Sequence, residues 1–165
     1  MVYERPQFPD NAIDIDVITA QPKEGGRHIL ISIDMSSHSW EAVEFTIQNI
    51  ATSLDMLTMF HVLDPQQHKN DAANARTEAM VAIHEQMKEK VSRSGKEIMF
   101  RVHATFDDNA KKAVINKLQQ PTASKYRMVV VGSRGQSGLK GLVNGSVSTY
   151  VMNNSPIPVV VVRHP

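Results

Sequence analysis

The chain has 165 residues, a formal net charge of +1 at pH 7 and a composition of 41% hydrophobic and 21% charged residues. Such values fit one globular domain with a sizeable core and exclude a disordered or fibrous protein. The chain contains no cysteine, no apolar stretch near the roughly 20 residues that span a bilayer, and no signal-peptide pattern at its N-terminus. We therefore expect a cytoplasmic protein without disulfides, zinc-thiolate sites or a membrane partner.

Residues 1–26 are predicted to form an N-terminal extension, and residues 27–165 the domain. Three prolines and two glycines interrupt this first stretch too often for a long helix or a central strand. Within it, apolar and acidic residues alternate over positions 13–17. That alternation favours either a short edge strand or a docking segment.

The ordered pattern begins with a strand over residues 27–34, RHILISID, followed by serines that can cap a helix. The helix after it has apolar residues at steps of three and four, which predicts one buried face. The members of this stripe are Trp40, Val43, Ile47, Ile50 and Leu54.

Two further strand and helix pairs follow along the chain. A strand over 56–64 precedes a helix over about 71–93 that ends at Gly95, and a strand over 97–104 precedes a helix capped by Asp107 or Asp108. The predicted inner stripes are Ala72, Ala79, Met80, Ile83, Met87 and Val91 in the longer helix, and Ala110, Ala113, Val114 and Leu118 in the shorter one.

The last elements are a strand RMVVVG, a short helix near 146–153 and a final strand PVVVVR. Strict alternation of strands and helices predicts an α/β fold, a single-domain open five-stranded parallel sheet with helices on both faces. Such a sheet binds ligands beyond the carboxyl ends of its strands.

A glycine-rich segment follows the fourth strand, with Gly132, Gly135 and the pair Gly145-Ser146 at the start of the next helix. Glycines let backbone amides approach a ligand, and a helix N-terminus favours phosphate. Every charged residue after Asp108 is basic, which suits an anion. The alternatives are a plain turn at Asn144-Gly145 and basic faces that only contact solvent. The Walker A and dinucleotide-binding patterns are absent.

The spacing G-x2-G-x9-G-[ST] resembles the nucleotide-binding signature of the universal stress protein family. The segments ILISID, SSHSWEAVEF, MFHVLD and PIPVVVVR are similar to the family in the same order, and the resemblance covers about residues 27–164. It implies the adenine nucleotide alpha-hydrolase-like sheet of that family. For its ATP-binding branch it also implies bound ATP, magnesium held through the phosphates, and a homodimer through the last strand.

The resemblance also implies which residues bind the nucleotide. Asp34, with the neighbouring Ile33, is expected near the ribose and adenine, and Val62 is expected to meet adenine through backbone atoms. The phosphate positions and their neighbours are Gly132, Ser133, Arg134, Gly135, Asn144, Gly145, Ser146 and Val147. The frequent family sequence DGS is DMS here, so Met35 is expected to crowd the pocket mouth, and Thr105 and Phe106 to reshape its ribose side.

Other kinds of site find no support in the sequence. The seven histidines show no metal-binding spacing, no G-x-S-x-G elbow is present, and the scattered aromatic residues disfavour nucleic acid. We assign no catalytic residue and no metal site built from protein ligands. The sequence thus predicts a universal stress protein that binds ATP or another adenine nucleotide as a regulatory ligand, with at most slow hydrolysis. The alternative is a dimeric interaction module of the same fold that acts without nucleotide.

Overall fold

A computed structural model describes residues 21–120, 126–133 and 146–163. The predicted alternation at positions 13–17 lies outside these residues. The described chain forms five strands and four α-helices in alternating order. The elements are β1 (His28–Ile33), α1 (Ser37–Phe45), β2 (Met56–Leu63), α2 (Ala72–Ser94), β3 (Met99–Phe106), α3 (Ala110–Gln119), β4 (Tyr126–Gly132), α4 (Ser146–Asn154) and β5 (Val159–Val162). A π-helical turn over Thr46–Ile50 continues α1.

The five strands form one parallel sheet in the order β3-β2-β1-β4-β5. β1 lies in the centre, and its residues Ile29, Leu30 and Ile31 are completely buried. Side chains on the two faces of the sheet contribute to two separate apolar clusters, one with α1 and α2 and the other with α3 and α4. The predicted fold class is confirmed.

Several local predictions are confirmed. Ser36 caps α1 by accepting a hydrogen bond from the Ser39 amide at 3.3 Å. Gly95 ends α2 in a left-handed conformation with φ of 66°. Trp40 is buried among the residues of the first cluster.

Other local predictions are wrong. Leu54 is 42% exposed because the helix ends at Ile50 and Leu54 lies in the loop beyond it. Ala72 and Ala110 are exposed because each is the first residue of its helix. Asn109, rather than Asp107 or Asp108, caps α3, and its Oδ1 accepts from the Lys112 amide at 3.2 Å.

An ion pair connects the residue before β1 with the residue before β2. Arg27 donates through Nη2 to Asp55 Oδ2 at 2.7 Å, through Nε to Oδ1 at 3.1 Å, and through its backbone amide to Oδ1 at 2.7 Å. The amide and hydroxyl of Thr52 donate to Asp55 Oδ2 at 2.8 and 3.1 Å. Asp55 is completely buried, so this pair fixes the starts of two neighbouring strands at the end of the sheet opposite the strands' carboxyl ends.

None of the helices in the described ranges has the length and hydropathy needed to span a bilayer.

Candidate functional site

The strand order changes direction at β1. The chain moves outward from β1 to β2 and β3, then returns to β4 on the other side of β1 and continues to β5. In open parallel sheets, ligands bind in the crevice beyond the carboxyl ends of the two strands at such a switch point, here β1 and β4. Ser32 pairs with Val131 next to those ends, so the residues that follow Ile33 and Gly132 flank the same crevice.

Asp34 follows β1 directly and is half-buried. Its Oδ1 accepts from the Ser36 amide at 3.0 Å and from the Ser36 hydroxyl at 2.5 Å. Because Ser36 in turn caps α1, the Asp34 carboxylate is fixed to the beginning of that helix. The structure thus places this carboxylate at the switch point and fixes its orientation through the helix cap.

Met35 has a positive φ of 64°, in the left-handed region that favours glycine. The family sequence DGS, which is DMS in this chain, would place its glycine at this position. The half-buried Met35 side chain packs against the cluster formed with α1 and α2. The left-handed conformation costs a non-glycine residue about 1 to 2 kcal/mol. At Met35 this unfavourable backbone conformation occurs together with packing of the side chain on the core.

The predicted residues Ile33, Val62 and Val147 lie on three different elements around the crevice. Ile33 is the buried last residue of β1, and Val62 is the half-buried penultimate residue of β2. Val147 lies in the first turn of α4 and packs, like Val62, against the cluster formed with α3 and α4.

The sequence did not reveal that His61 contacts the site. His61 lies in β2, within the strand predicted over 56–64, and its Nδ1 is 2.9 Å from the Ile33 carbonyl oxygen. Its position immediately before Val62 is the only signal in the sequence that could have suggested a contact with the site. Charge, periodicity and spacing carry no such signal for a single buried histidine.

The end of β4 is fixed to its neighbours by hydrogen bonds. Ser133, which follows Gly132, is 4% exposed and donates its amide to the Val162 carbonyl at 2.8 Å. Ser148 in α4 donates its hydroxyl to the Ser133 carbonyl at 3.5 Å. The beginning of α4, at Ser146, therefore lies close to the end of β4, and the first amides of a helix carry partial positive charge. Four predicted phosphate residues, Arg134, Gly135, Asn144 and Gly145, lie outside the described residues.

The carboxyl end of β3 carries the predicted ribose-side residues Thr105 and Phe106. Phe106 packs edge-on against His68 of the loop between β2 and α2, with ring centroids 6.2 Å apart. Across residues 21–120, 126–133 and 146–163, no three or more histidine or carboxylate side chains gather in a way that could hold a metal ion.

Comparison with known proteins assigns the family. The universal stress protein family matches residues 26–163, which is most of the chain. This protein belongs to the universal stress protein family.

A curated relative is an uncharacterised protein of Schizosaccharomyces pombe. It is 29% identical over 138 residues, a region that covers 81% of this chain but 22% of the yeast protein. This chain therefore spans about a fifth of the length of that relative.

Solved structures of the family share the fold. A universal stress protein in complex with cAMP is 23% identical, with a TM-score of 0.60 over 82% of this chain and 96% of its own. A universal stress protein family protein from Arabidopsis thaliana with AMP bound is 17% identical, with a TM-score of 0.57 over 84% of this chain and 92% of its own. At these identities the comparison establishes the five-stranded fold.

Proposed function

We propose that this protein binds ATP or another adenine nucleotide as a regulatory ligand in a cytoplasmic stress response. The observation that carries the proposal is the position of Asp34 across the switch point from Gly132 and Ser133. One side of the crevice offers a carboxylate to ribose hydroxyls. The other offers the beginning of α4 and the amides of the glycine-rich segment beyond Ser133 to phosphates.

In the proposed complex, Ile33, Asp34 and Val62 contact adenine and ribose. The phosphates lie against the backbone of the glycine-rich segment, where a side chain at a motif glycine would block the approach of amides. The proposed residues are Gly132, Ser133, Arg134, Gly135, Asn144, Gly145, Ser146 and Val147. We thus propose that the protein belongs to the ATP-binding branch of the family. In the proposed complex, magnesium is held by phosphate oxygens and water.

Two family structures support an adenine nucleotide in this fold, since one contains cAMP and another AMP. The basic character of the chain after Asp108 favours a ligand with more negative charge than either of these. Several charge-assisted hydrogen bonds of ~1.5 to 3 kcal/mol each, less the costs of association, correspond to roughly micromolar affinity.

The test is a titration of the purified protein with ATP and magnesium, preceded by identification of any nucleotide released on denaturation. Gly145→Val should weaken the affinity by at least about tenfold, because the valine side chain blocks amides from the phosphates. Gly141→Val is the matched control, since Gly141 lies in the same segment but outside the motif spacing. No released nucleotide and no binding at millimolar ATP would contradict the proposal, and unchanged affinity in Gly145→Val would refute the phosphate site.

A second candidate is a dimeric interaction module that acts without nucleotide. Its supporting observation is β5, which ends the sheet and keeps all four of its valines partly exposed. We propose that a homodimer forms through β5 in either case. A dimer without detectable nucleotide binding would favour this second candidate.

We propose no catalytic residue. A polyphosphate with a metal ion can react slowly with water, so slow ATP hydrolysis is the most that the proposed site would support. Hydrolysis that persists at the same rate in Gly145→Val would come from a contaminant.

We also propose that residues 1–26 form an extension to the nucleotide-binding domain, which comprises residues 27–165.

A further inference from the structure

We infer that His61 is a positioning residue for the nucleotide site, acting through the peptide bond between Ile33 and Asp34. The inference rests on the proposed function, because it concerns how Asp34 is oriented toward a ribose. His61 lies on β2, directly opposite Ile33 in the parallel pairing of β1 and β2. It is 8% exposed, so its imidazole acts within the protein rather than in solvent.

The hydrogen bond between His61 and Ile33 fixes the protonation of one ring nitrogen. The Nδ1 atom lies 2.9 Å from the Ile33 carbonyl oxygen. A carbonyl oxygen can only accept, so Nδ1 carries the hydrogen and donates. The parallel register also directs the Val62 amide toward this carbonyl, so the imidazole supplies a second donor to it. His61 therefore adds a side-chain hydrogen bond at the last residue of the central strand.

This hydrogen bond orients the residue that follows the strand. The Ile33 carbonyl and the Asp34 amide belong to one planar peptide unit. Fixing the direction of the carbonyl thus fixes the plane from which the Asp34 side chain extends. The other end of the turn is fixed by the bonds from Ser36 to Asp34 Oδ1.

Between these two attachments lies Met35, with its unfavourable φ of 64°. A residue in that conformation persists only where the surrounding structure fixes it. His61 holds the backbone at Ile33, on the N-terminal side of Met35, and Ser36 holds the Asp34 carboxylate from the C-terminal side. Loss of the first attachment leaves the Ile33 carbonyl with its strand hydrogen bond alone, so the Asp34 carboxylate no longer keeps one orientation.

Two amide substitutions separate this role from simple packing. In His61→Asn the side-chain nitrogen Nδ2 stands where Nδ1 stood and can donate to the Ile33 carbonyl. In His61→Gln the nitrogen lies one atom further out, near the position of Nε2. Both are neutral, polar and smaller than or similar to histidine, so they differ chiefly in where the donor lies.

The binding readout uses ATP and 2′,3′-dideoxy-ATP as probes. Wild type should prefer ATP, because Asp34 accepts from ribose hydroxyls. His61→Gln should bind ATP about tenfold more weakly and lose most of this preference, whereas His61→Asn should stay within about threefold of wild type. A merely structural role would weaken both probes equally. Equal losses in the two variants, or an unchanged preference in His61→Gln, would overturn the inference.

A second readout needs no nucleotide. The Ser36 amide donates to Asp34 Oδ1, so its hydrogen exchange reports whether the carboxylate keeps its orientation. Exchange should accelerate at least about tenfold in His61→Gln and remain near the wild-type rate in His61→Asn. Unchanged exchange in His61→Gln would contradict the positioning role even if nucleotide binds. Failure of wild type to bind any nucleotide, with the exchange pattern as expected, would contradict only the proposed function.

Discussion

Met35 combines, at the scale of a single residue, a backbone conformation that favours glycine with an apolar side chain that packs on the core. Its φ of 64° belongs to the left-handed region, and its side chain packs on the core. The sequence motif DMS predicted a crowded pocket mouth. The side chain contacts the core, because a half-buried apolar group gains more there than it would in solvent.

We predict that Met35→Gly is more stable than Met35→Ala by about 1 kcal/mol. Both variants lose the packing of the methionine side chain, so the difference between them isolates the backbone. In an ordinary helical position alanine would be the more stable of the two. Urea denaturation of both proteins measures the difference, and a more stable Met35→Ala would show that the backbone at this position is unstrained.

Asp55 is a second residue whose environment has a measurable consequence. Burial alone would raise the pKa of its carboxyl group, but the hydrogen bonds from Arg27 and Thr52 outweigh burial and lower the pKa to about 2. The pKa of Arg27 is raised in turn, chiefly by its side-chain hydrogen bond to Asp55. A carboxyl pKa lowered from 3.8 to about 2 corresponds to about 2 kcal/mol of folding stability.

That stability is fully present above the unfolded pKa, near 4, and is lost as the pH falls toward 2. We predict that Asp55→Asn lowers the free energy of unfolding by about 3 kcal/mol at pH 7, since it leaves the Arg27 charge without its partner. Between pH 5 and pH 2, wild type should lose about 2 kcal/mol more than the variant does. Denaturation measured across this range checks both statements, and parallel pH profiles would contradict the second.

At the scale of secondary-structure elements, β5 has one edge on β4 and one edge outside the sheet. The carbonyls of Pro158 and Val162 accept hydrogen bonds from Val129 and Ser133 at 3.0 and 2.8 Å. Because the backbone groups of a strand alternate in direction, Val160 also faces β4, whereas Val159 and Val161 direct their amides away from it. These outward amides are available to pair with a second copy of the strand.

We predict that Val161→Pro prevents dimerisation through β5 while the monomer stays folded, because proline removes an outward donor and is tolerated at a sheet edge. Val160→Pro is the control, since it removes an amide that faces β4 and should destabilise the fold itself. Sedimentation velocity gives the oligomeric state and circular dichroism the fold. A dimeric Val161→Pro would place the interface elsewhere.

The helices show where sequence patterns identify elements and where they miss details. The apolar stripes located α1, α2 and α3, because burial of one face leaves a periodic trace in the sequence. They misplaced Leu54, since the stripe continues past the residue where the chain leaves the helix. The cap of α3 was also missed: Asp107, Asp108 and Asn109 are all good caps, and only the backbone geometry selects Asn109.

At the scale of the whole molecule, the fold was predictable because alternating strands and helices permit few arrangements. The position of Asp34 at the switch point follows from the same topology. The contact of His61 with Ile33 was not predictable, because it depends on the register between β1 and β2. Nor does any pattern in the sequence reveal that Met35 packs on the core.

The central position of β1 has a consequence for the protein while it is being made. β2, which covers one edge of β1, begins at Met56, but β4, which covers the other edge, begins about a hundred residues after the start of β1, at Tyr126. At 5 to 20 residues per second, the nascent chain spends roughly 5 to 20 s with that edge unpaired. The exposed strand is an apolar one, so nascent chains of this protein are natural substrates for chaperones that act at the ribosome.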